Sequence, residues 1–250
     1  MSIEKNDERR ITRHDEGGLC TLTLDRPEKL NALDTQSFEE LDAFCAALEG
    51  ETDRIGCVVL QARGRAFCAG ADIGKIGATL IDPRFKPKVI DRLANLPQPV
   101  IAAIHGTCFT GGLELALAAD LIVAEASARF ADTHGKWGLV GEWGMTQRLP
   151  RRVGLAAAKL MMFTARTVAA PDAHAMGLVD VLTGEGELAA QVADLAEAIL
   201  ANSWHTNFAT KRLLCETDGM SLAAGLAHES YRNPGFAPDY RERLAQFAKK

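Results

Sequence analysis

The chain has 250 residues, enough for one large domain, and 47% of them are hydrophobic, so a sizeable core can be buried. The net charge of −5, without a basic cluster, excludes the electrostatic footprint of a nucleic-acid-binding protein. No apolar run has the length of a membrane span and the N-terminus is polar throughout, so we expect a cytoplasmic protein with no membrane partner.

Short β-branched runs predict five strands, and amphipathic segments between them predict helices. The predicted strands are residues 19–25, 56–62, 99–106, 120–126 and 179–182. Apolar residues recur at helical spacing after Asp34, where Ser37 and Glu40 predict a capping box and Gly50 a stop. Strands that alternate with helices predict an α/β core with parallel pairing.

From about residue 187 the strand signal disappears and helical spacing replaces it. We predict one helix near residues 188–200, another near 208–214, and a third from about Pro238. The predicted division is a core over residues 1–195, which would bind substrate and carry catalysis, and a helical region over 196–250. So thin a region buries little alone, so we expect it to pack against the core or another subunit.

The six cysteines form no CxxC pair, and most of them lie in apolar segments. They are Cys20, Cys45, Cys57, Cys68, Cys108 and Cys215. This pattern predicts buried thiols in a reducing compartment rather than a disulfide framework or a zinc site.

The segment GRAFCAGADIG (64–74) follows a predicted strand and has small residues around Gly70. Such a loop lets a ligand approach backbone N–H groups closely, although a tight strand-to-helix turn is an equal alternative. Its Gly-Lys pair lacks the spacing of a phosphate loop, and Ile76 stands where Ser or Thr would bind magnesium. We therefore reject a nucleoside triphosphate site.

The segment IHGTCFTGGLELALAAD (104–120) predicts a strand, a turn of small residues and a helix that opens at Gly111 and Gly112. The first N–H groups of a helix are unpaired and suit an oxygen on which negative charge develops. Glu114 lies in the first turn. It is either a general acid/base or a carboxylate that stabilises the helix dipole, and the residues alone favour the second role.

Four motifs, in this order and at these separations, resemble the crotonase superfamily, which contains enoyl-CoA hydratases and isomerases. The motifs are RPEKLNAL (26–33), AFCAGADI (66–73), GTCFTGGLELALAAD (106–120) and WGMTQRLPRRVG (143–154). The resemblance implies a spiral core of repeated ββα units and a C-terminal helical oligomerisation region. It also implies a homotrimer or a dimer of trimers that binds acyl-CoA thioesters without a metal or redox cofactor, coenzyme A being part of the substrate.

By motif position, the resemblance places an oxyanion hole on the backbone N–H groups of Ala71 and Gly111. It also makes Glu114 the first catalytic carboxylate, and this outweighs the role in stabilising the helix dipole that the residues alone favour. It assigns CoA or substrate binding to Lys29, Leu30, Ala69, Gly70, Asp72, Ile73 and Phe247, the last of these reaching a neighbouring subunit. Trp137 and Trp143 are candidate walls of the acyl pocket, although tryptophan is more often a core residue.

The second acid of the family's hydratases falls on His134, within ADTHGKWGLVGE (131–142). Histidine titrates near neutrality and suits proton transfer, and a structural histidine is the alternative. Glu142 occupies a position that is usually Gly in hydratases and a carboxylate in some isomerase branches. Its apolar neighbours predict a desolvated carboxylate, with a surface loop residue as the alternative, and Asp132 is predicted to cap a turn.

These assignments predict a lyase that hydrates a 2-enoyl-CoA through an enolate held in the oxyanion hole, as in fatty acid metabolism. Double-bond isomerisation, in which Glu142 or Glu114 shuttles one proton, is the second hypothesis. The third is an inactive paralogue that binds acyl-CoA and has lost its activity with the second Glu.

Overall fold

A computed structural model describes residues 9–72, 74 and 82–247 of the chain. Its strands are β1 (Ile11–Glu16), β2 (Leu19–Leu24), β3 (Cys57–Ala62), β4 (Ala66–Cys68), β5 (Val100–Ile104), β6 (Thr107–Phe109), β7 (Leu121–Glu125), β8 (Arg129–Ala131), β9 (Val168–Ala169) and β10 (Val181–Thr183). Its α-helices are α1 (Thr35–Glu49), α2 (Phe85–Ala94), α3 (Gly111–Ala116), α4 (Met145–Val153), α5 (Leu155–Thr164), α6 (Ala170–Ala175), α7 (Leu188–Ala201), α8 (Trp204–Thr217), α9 (Leu222–Arg232) and α10 (Tyr240–Phe247).

The strands form two sheets that the chain visits alternately. The larger has the order β1-β2-β3-β5-β7-β10, and the smaller has the order β4-β6-β8-β9. Pairing is parallel except for β1 with β2 and β8 with β9. Strands β3, β5 and β7 are each followed within a few residues by a strand of the smaller sheet and then by a helical segment. This arrangement confirms the predicted α/β class, with parallel pairing and repeated ββα units.

The N-cap of helix α1 lies three residues before the predicted one. Asp34 is the N-cap: its carboxylate accepts from the backbone N–H of Ser37, whose hydroxyl accepts in return from the backbone N–H of Asp34. The predicted Ser37–Glu40 box is therefore wrong, since Ser37 is the third helical residue. Glu40 instead accepts from the backbone N–H groups of Arg10 and Ile11, which ties α1 to β1. Gly50 ends the helix as predicted.

The core lies between the two sheets and the helices that follow them, and α7 covers the opposite face of the larger sheet. Val192 and Ala196 of α7 pack there against Val59, Ile101 and Val123. The predicted boundary at residue 195 falls inside this helix. The division into a core and a helical region stays a prediction.

Five of the six cysteines are buried, as predicted, and Cys215 is exposed. The sequence patterns did not predict β1, the short strands of the smaller sheet, or α9. In the part of the chain that the structure describes, no helix is long and apolar enough to cross a membrane.

Candidate active site

The two loops of small residues converge at the start of α3. Gly70 has φ +114°, and a Cβ added there would stand 3.4 Å from the backbone nitrogen of Gly111. A Cβ on Gly112 would stand 2.4 Å from the carbonyl oxygen of Cys68, a distance that no side chain tolerates. Both glycines are therefore required, because the backbone after β4 lies directly against the first turn of α3.

The loop after β4 is held from its other side by the RPEKLNAL segment. Leu30 accepts from the backbone N–H of Ala69 (3.0 Å), Leu33 donates to the carbonyl of Gly70 (2.8 Å), and Asp72 donates to the carbonyl of Leu33 (2.9 Å). Asn31, buried and with φ +54°, braces the segment through both ends of its amide. Three backbone hydrogen bonds thus fix the position of residues 69–72.

This pairing leaves two backbone donors free near each other. Ala71 pairs with Leu33 in a parallel bridge, in which hydrogen bonds use the residues on either side of Ala71. Gly111 is the first residue of α3, where an N–H has no partner inside the helix. Within the described residues, neither amide makes a hydrogen bond. Unpaired amides near a helix start can stabilise a developing oxyanion, which is the role predicted for them.

Most of the residues predicted to bind CoA lie on the two paired segments, 26–33 and 69–72, and the structure does not describe the side chains of the others. Lys29 is exposed and Leu30 half-buried at the surface beside Ala69. Asp72 accepts a 2.8 Å hydrogen bond from the buried Arg26 guanidinium, so its carboxylate braces the loop. Ile73 and the side chain of Phe247 lie outside the described residues.

Thr110 connects the start of α3 to the segment that carries His134. Its φ of +54° is disfavoured for a β-branched residue, and tertiary contacts hold it there. The Thr110 N–H donates to Ala131 (2.8 Å), and its hydroxyl accepts from the N–H of Thr133 (3.2 Å) and lies 2.5 Å from the Thr133 hydroxyl. Residues 110–114 and 131–134 therefore form one connected unit.

Glu114 is a buried carboxylate with only 1% of its surface exposed. Its Oε1 accepts from the backbone N–H groups of Trp143 (2.8 Å) and Met145 (3.1 Å). Burial raises the pKa of Glu114 above its ordinary value, although these two N–H groups and His134 oppose the rise. Two hydrogen bonds therefore hold Oε1 in place, and Oε2 is the oxygen that can accept or donate a proton.

His134 faces that second oxygen, with its Nε2 3.7 Å from Glu114 Oε2. Its Nδ1 lies 2.6 Å from Oδ1 of buried Asp132, which also accepts from the backbone N–H of His134 at 3.0 Å. Burial lowers the pKa of His134, but the hydrogen bond to Asp132 and the charges of Asp132, Glu114 and Glu142 outweigh it, so that pKa is raised. The ring is therefore oriented with Nε2 toward Glu114.

Asp132 caps its turn as predicted, and it also orients the imidazole, a contact that was not predicted from the sequence. The available signal was the spacing Asp132-x-His134, which allows one carboxylate to bind both the backbone and the ring of the histidine. Such a carboxylate fixes the tautomer and stabilises the protonated ring.

Glu142 and Trp137 differ from their predicted surroundings. Glu142 is exposed, and so are Trp137 (60%) and Val140 (77%), so the expected desolvation of Glu142 is absent. The backbone just before Glu142 still reaches the pair, because a Cβ on Gly141 would stand 3.0 Å from Glu114 Oε1. Glu142 therefore lies at the open edge of the candidate site.

Trp143 is buried, and its ring packs against Gly111 and against the edge of Phe38. Of the two predicted pocket walls, Trp143 is thus the one beside the candidate oxyanion amide. Among residues 9–72, 74 and 82–247, no group of three or more His, Cys, Asp or Glu side chains is arranged to hold a metal ion.

Comparison with known proteins places the chain in a family. Residues 14–240 match the family model described as enoyl-CoA hydratase/isomerase. The 1,2-epoxyphenylacetyl-CoA isomerase of Escherichia coli (strain K12) is 32% identical, over 96% of this chain and 95% of that protein. The short-chain-enoyl-CoA hydratase of Clostridium acetobutylicum is 34% identical, over 75% of this chain and 74% of that protein.

Solved structures show the same relationship. The enoyl-CoA hydratase of Bacillus anthracis is 29% identical and superposes with a TM-score of 0.90, over 96% of each chain. A neighbour at this similarity shares the complete fold, which confirms the crotonase architecture predicted from the motifs. The chain therefore belongs to the enoyl-CoA hydratase/isomerase family of the crotonase superfamily.

Proposed function

We propose that the protein hydrates 2-enoyl-CoA thioesters, with Glu114 and His134 as its two proton-handling groups. The observation that carries this proposal is the separation of 3.7 Å between Glu114 Oε2 and His134 Nε2 in a buried setting. Both atoms can reach one water molecule placed between them, and addition of water across a double bond needs one group for each of its two proton transfers.

The thioester oxygen binds to the N–H groups of Ala71 and Gly111. Glu114, as carboxylate, removes a proton from water while the water oxygen forms a bond to Cβ. The C=C electrons move to the thioester, whose oxygen carries the negative charge in the enolate. Protonated His134 then delivers its Nε2 proton to Cα, which gives the 3-hydroxyacyl-CoA. Removing one oxyanion donor typically costs about 10²–10³ in rate.

The CoA portion lies over the loop pair formed by residues 26–33 and 69–72, where Lys29 is exposed beside Ala69. The site requires no metal or redox cofactor in this mechanism, because backbone N–H groups stabilise the enolate and side chains move the protons. Coenzyme A enters only as part of the substrate.

Assays on two substrates test the proposal. Hydration of crotonyl-CoA lowers the absorbance of the conjugated enoyl thioester, whereas isomerisation of a 3-enoyl-CoA raises it. Glu114→Gln should lower kcat strongly on either substrate with little change in CoA affinity. His134→Ala should then reduce hydration more than Glu142→Gln does. Full activity of Glu114→Gln on every substrate would contradict the mechanism.

Isomerisation is the second candidate, and two observations favour it. The backbone at Gly141 lies against both Glu114 and His134, so the next residue, Glu142, stands at the open edge of the site. The E. coli relative that aligns with nearly the whole chain is also named an isomerase, although the substrate in its name is an epoxide, 1,2-epoxyphenylacetyl-CoA, rather than an enoyl-CoA. If this reaction dominates, Glu142→Gln should reduce activity more than His134→Ala.

An acyl-CoA-binding protein without activity is the remaining possibility. It would turn over neither substrate in wild-type form, yet a saturated acyl-CoA would raise its melting temperature, because a ligand that binds only the folded state stabilises it.

A further inference from the structure

Trp143 fills the space directly beside the candidate oxyanion amide. A Cβ on Gly111 would stand 2.4 Å from the Cζ3 atom of the indole and 3.1 Å from its Cε3 atom. The ring also meets Phe38 edge-on, with the centroids 4.8 Å apart at 70°. The indole therefore closes the space on this side of the candidate oxyanion amide.

A cavity of about 580 Å³ lies next to the same tryptophan. Its walls come from α2, through Pro87, Lys88 and Asp91, and from α4, through Arg148, with Glu142 and Trp143 on the side of the candidate site. Trp143 thus borders both Gly111 and this cavity.

The indole is held in place by the backbone on both sides of it. The Trp143 N–H donates to Glu114 (2.8 Å), and its carbonyl accepts from Arg148 (2.8 Å), whose other nitrogen donates to Asp91 of α2 (3.1 Å). These hydrogen bonds fix the backbone of Trp143. Moving the ring away from Gly111 and Phe38 would also expose a buried aromatic surface, so a substrate cannot displace it cheaply.

We propose that Trp143 is a specificity-determining residue that ends the acyl site and restricts the enzyme to short acyl chains; this inference rests on the proposed function. A four-carbon enoyl chain extends one carbon beyond Cβ and fits in front of the indole. Longer chains need the space that the indole occupies and the cavity beyond it.

The test compares kcat/KM for 2-enoyl-CoA substrates of four, six and eight carbons. Wild type should prefer four carbons. In Trp143→Ala, the eight-to-four-carbon ratio of kcat/KM should rise at least tenfold, because each newly buried methylene contributes about a factor of four. Trp143→Phe removes fewer atoms and should shift the ratio less, in the same direction.

Trp204→Ala is the matched control, because it removes the same ring from a contact with Gly18 and Gly56, away from the candidate site. It should lower stability without changing the chain-length ratio. An equal shift in this control would contradict the inference, as would an unchanged ratio in folded Trp143→Ala and Trp143→Phe, or a wild type that turns over all three chain lengths equally.

Binding separates this inference from the proposed reaction. Calorimetry with the saturated butyryl-CoA and octanoyl-CoA should show the same shift of relative affinity in Trp143→Ala. If wild type turns over no enoyl-CoA but this affinity shift is present, the hydratase proposal fails and the role of Trp143 stands. If turnover is present without the shift, the role of Trp143 is contradicted.

Discussion

Glu114, the proposed catalytic base, is a carboxylate buried at an energetic cost. Burial raises the pKa of Glu114, so the folded state prefers the neutral carboxyl. The stability that this group contributes is complete below its ordinary pKa of 4.5, and it is lost as the pH rises through the pKa of the folded protein. Replacing Glu114 by glutamine, which is uncharged and of the same size, removes this pH-dependent loss of stability. It also removes the catalytic base of the proposed mechanism.

Glu114→Gln should therefore lower kcat by about 10²–10⁴ while raising the free energy of unfolding at pH 8. Near pH 4, where the native carboxyl is already neutral, the two proteins should be equally stable. Denaturant unfolding at both pH values, together with kcat, measures this. A variant that loses activity and is destabilised at pH 8 would contradict the assignment of a buried, unfavourable charge.

Asp132 acts through His134, because its carboxylate contacts the ring nitrogen that points away from Glu114. It is a positioning residue, and it also raises the pKa of His134. The protonated ring is the form that delivers a proton in the proposed reaction, so activity should fall as the pH rises through that pKa.

Asp132→Asn should move the alkaline limb of the kcat/KM profile to lower pH, so that the loss of activity is larger at pH 8.5 than at pH 6. Asp132→Glu, which keeps the charge, should restore part of the alkaline limb. A uniform loss at all pH values would indicate a purely structural role. The charge of Asp132 also raises stability below the ordinary His134 pKa of 6.5, and this contribution is lost as the pH rises through the folded value.

Among the elements, short helix α3 depends most on close backbone contact. Gly112 leaves no room for a side chain, because the carbonyl of Cys68 stands where its Cβ would lie. Gly225 in α9 is the opposite case, since the nearest atom to its added Cβ is 3.9 Å away. The same substitution should therefore have opposite effects in these two helices.

Gly112→Ala should destabilise the protein and reduce kcat, because α3 must move away from the loop that carries Ala71. Gly225→Ala should stabilise it by about 0.5–1 kcal/mol, since alanine loses less backbone entropy than glycine in a helix. Thermal unfolding and kcat of both variants test this. Equal stability changes would contradict the close packing of α3 against β4.

Elements whose pattern is set by nearby residues were predicted from the sequence, and elements that depend on distant contacts were not. Core strands such as β5 and helices such as α7 follow from local apolar patterns, because their periodicity reflects the face that they bury. The polar alternation of β1 does not mark it as a strand until β2 provides its partner. For the site, Glu114 and the glycine loops were placed by motif position. The sequence named Trp137 and Trp143 equally, and only tertiary packing decides that Trp143 lies beside Gly111.

At the scale of the whole molecule, the C-terminal helices and the segment between the last two of them leave large apolar side chains uncovered. Leu222 is 80% exposed, Tyr231 87% and Phe236 80%. Such a concentration of exposed apolar residues marks an interaction surface in most soluble proteins. We expect this surface to mediate self-association, in line with the trimer or dimer of trimers implied by the family resemblance.

The mass in solution should accordingly be three or six times the chain mass of 26.9 kDa. Leu222→Glu and Tyr231→Glu should each lower it, because a charge on a buried interface lacks a partner. Phe163→Glu is the matched control, as it places a charge on an exposed aromatic position of α5. Sedimentation equilibrium across a concentration series decides the matter, and a monomer at all concentrations would contradict the expectation.

Because the cysteines differ in burial, the rate at which each thiol is modified reports local opening of the structure around it. Burial raises the pKa to about 12 for Cys20, Cys45, Cys57 and Cys68, and well above the ordinary thiol value for Cys108. A disulfide reagent should therefore modify exposed Cys215 first and the other five only as the structure opens. Because Cys68 and Cys108 lie on β4 and β6, beneath the two glycine loops, a bound acyl-CoA should slow their modification most. Mass spectrometry of time-resolved labelling can thus follow occupancy of the site without any catalytic turnover.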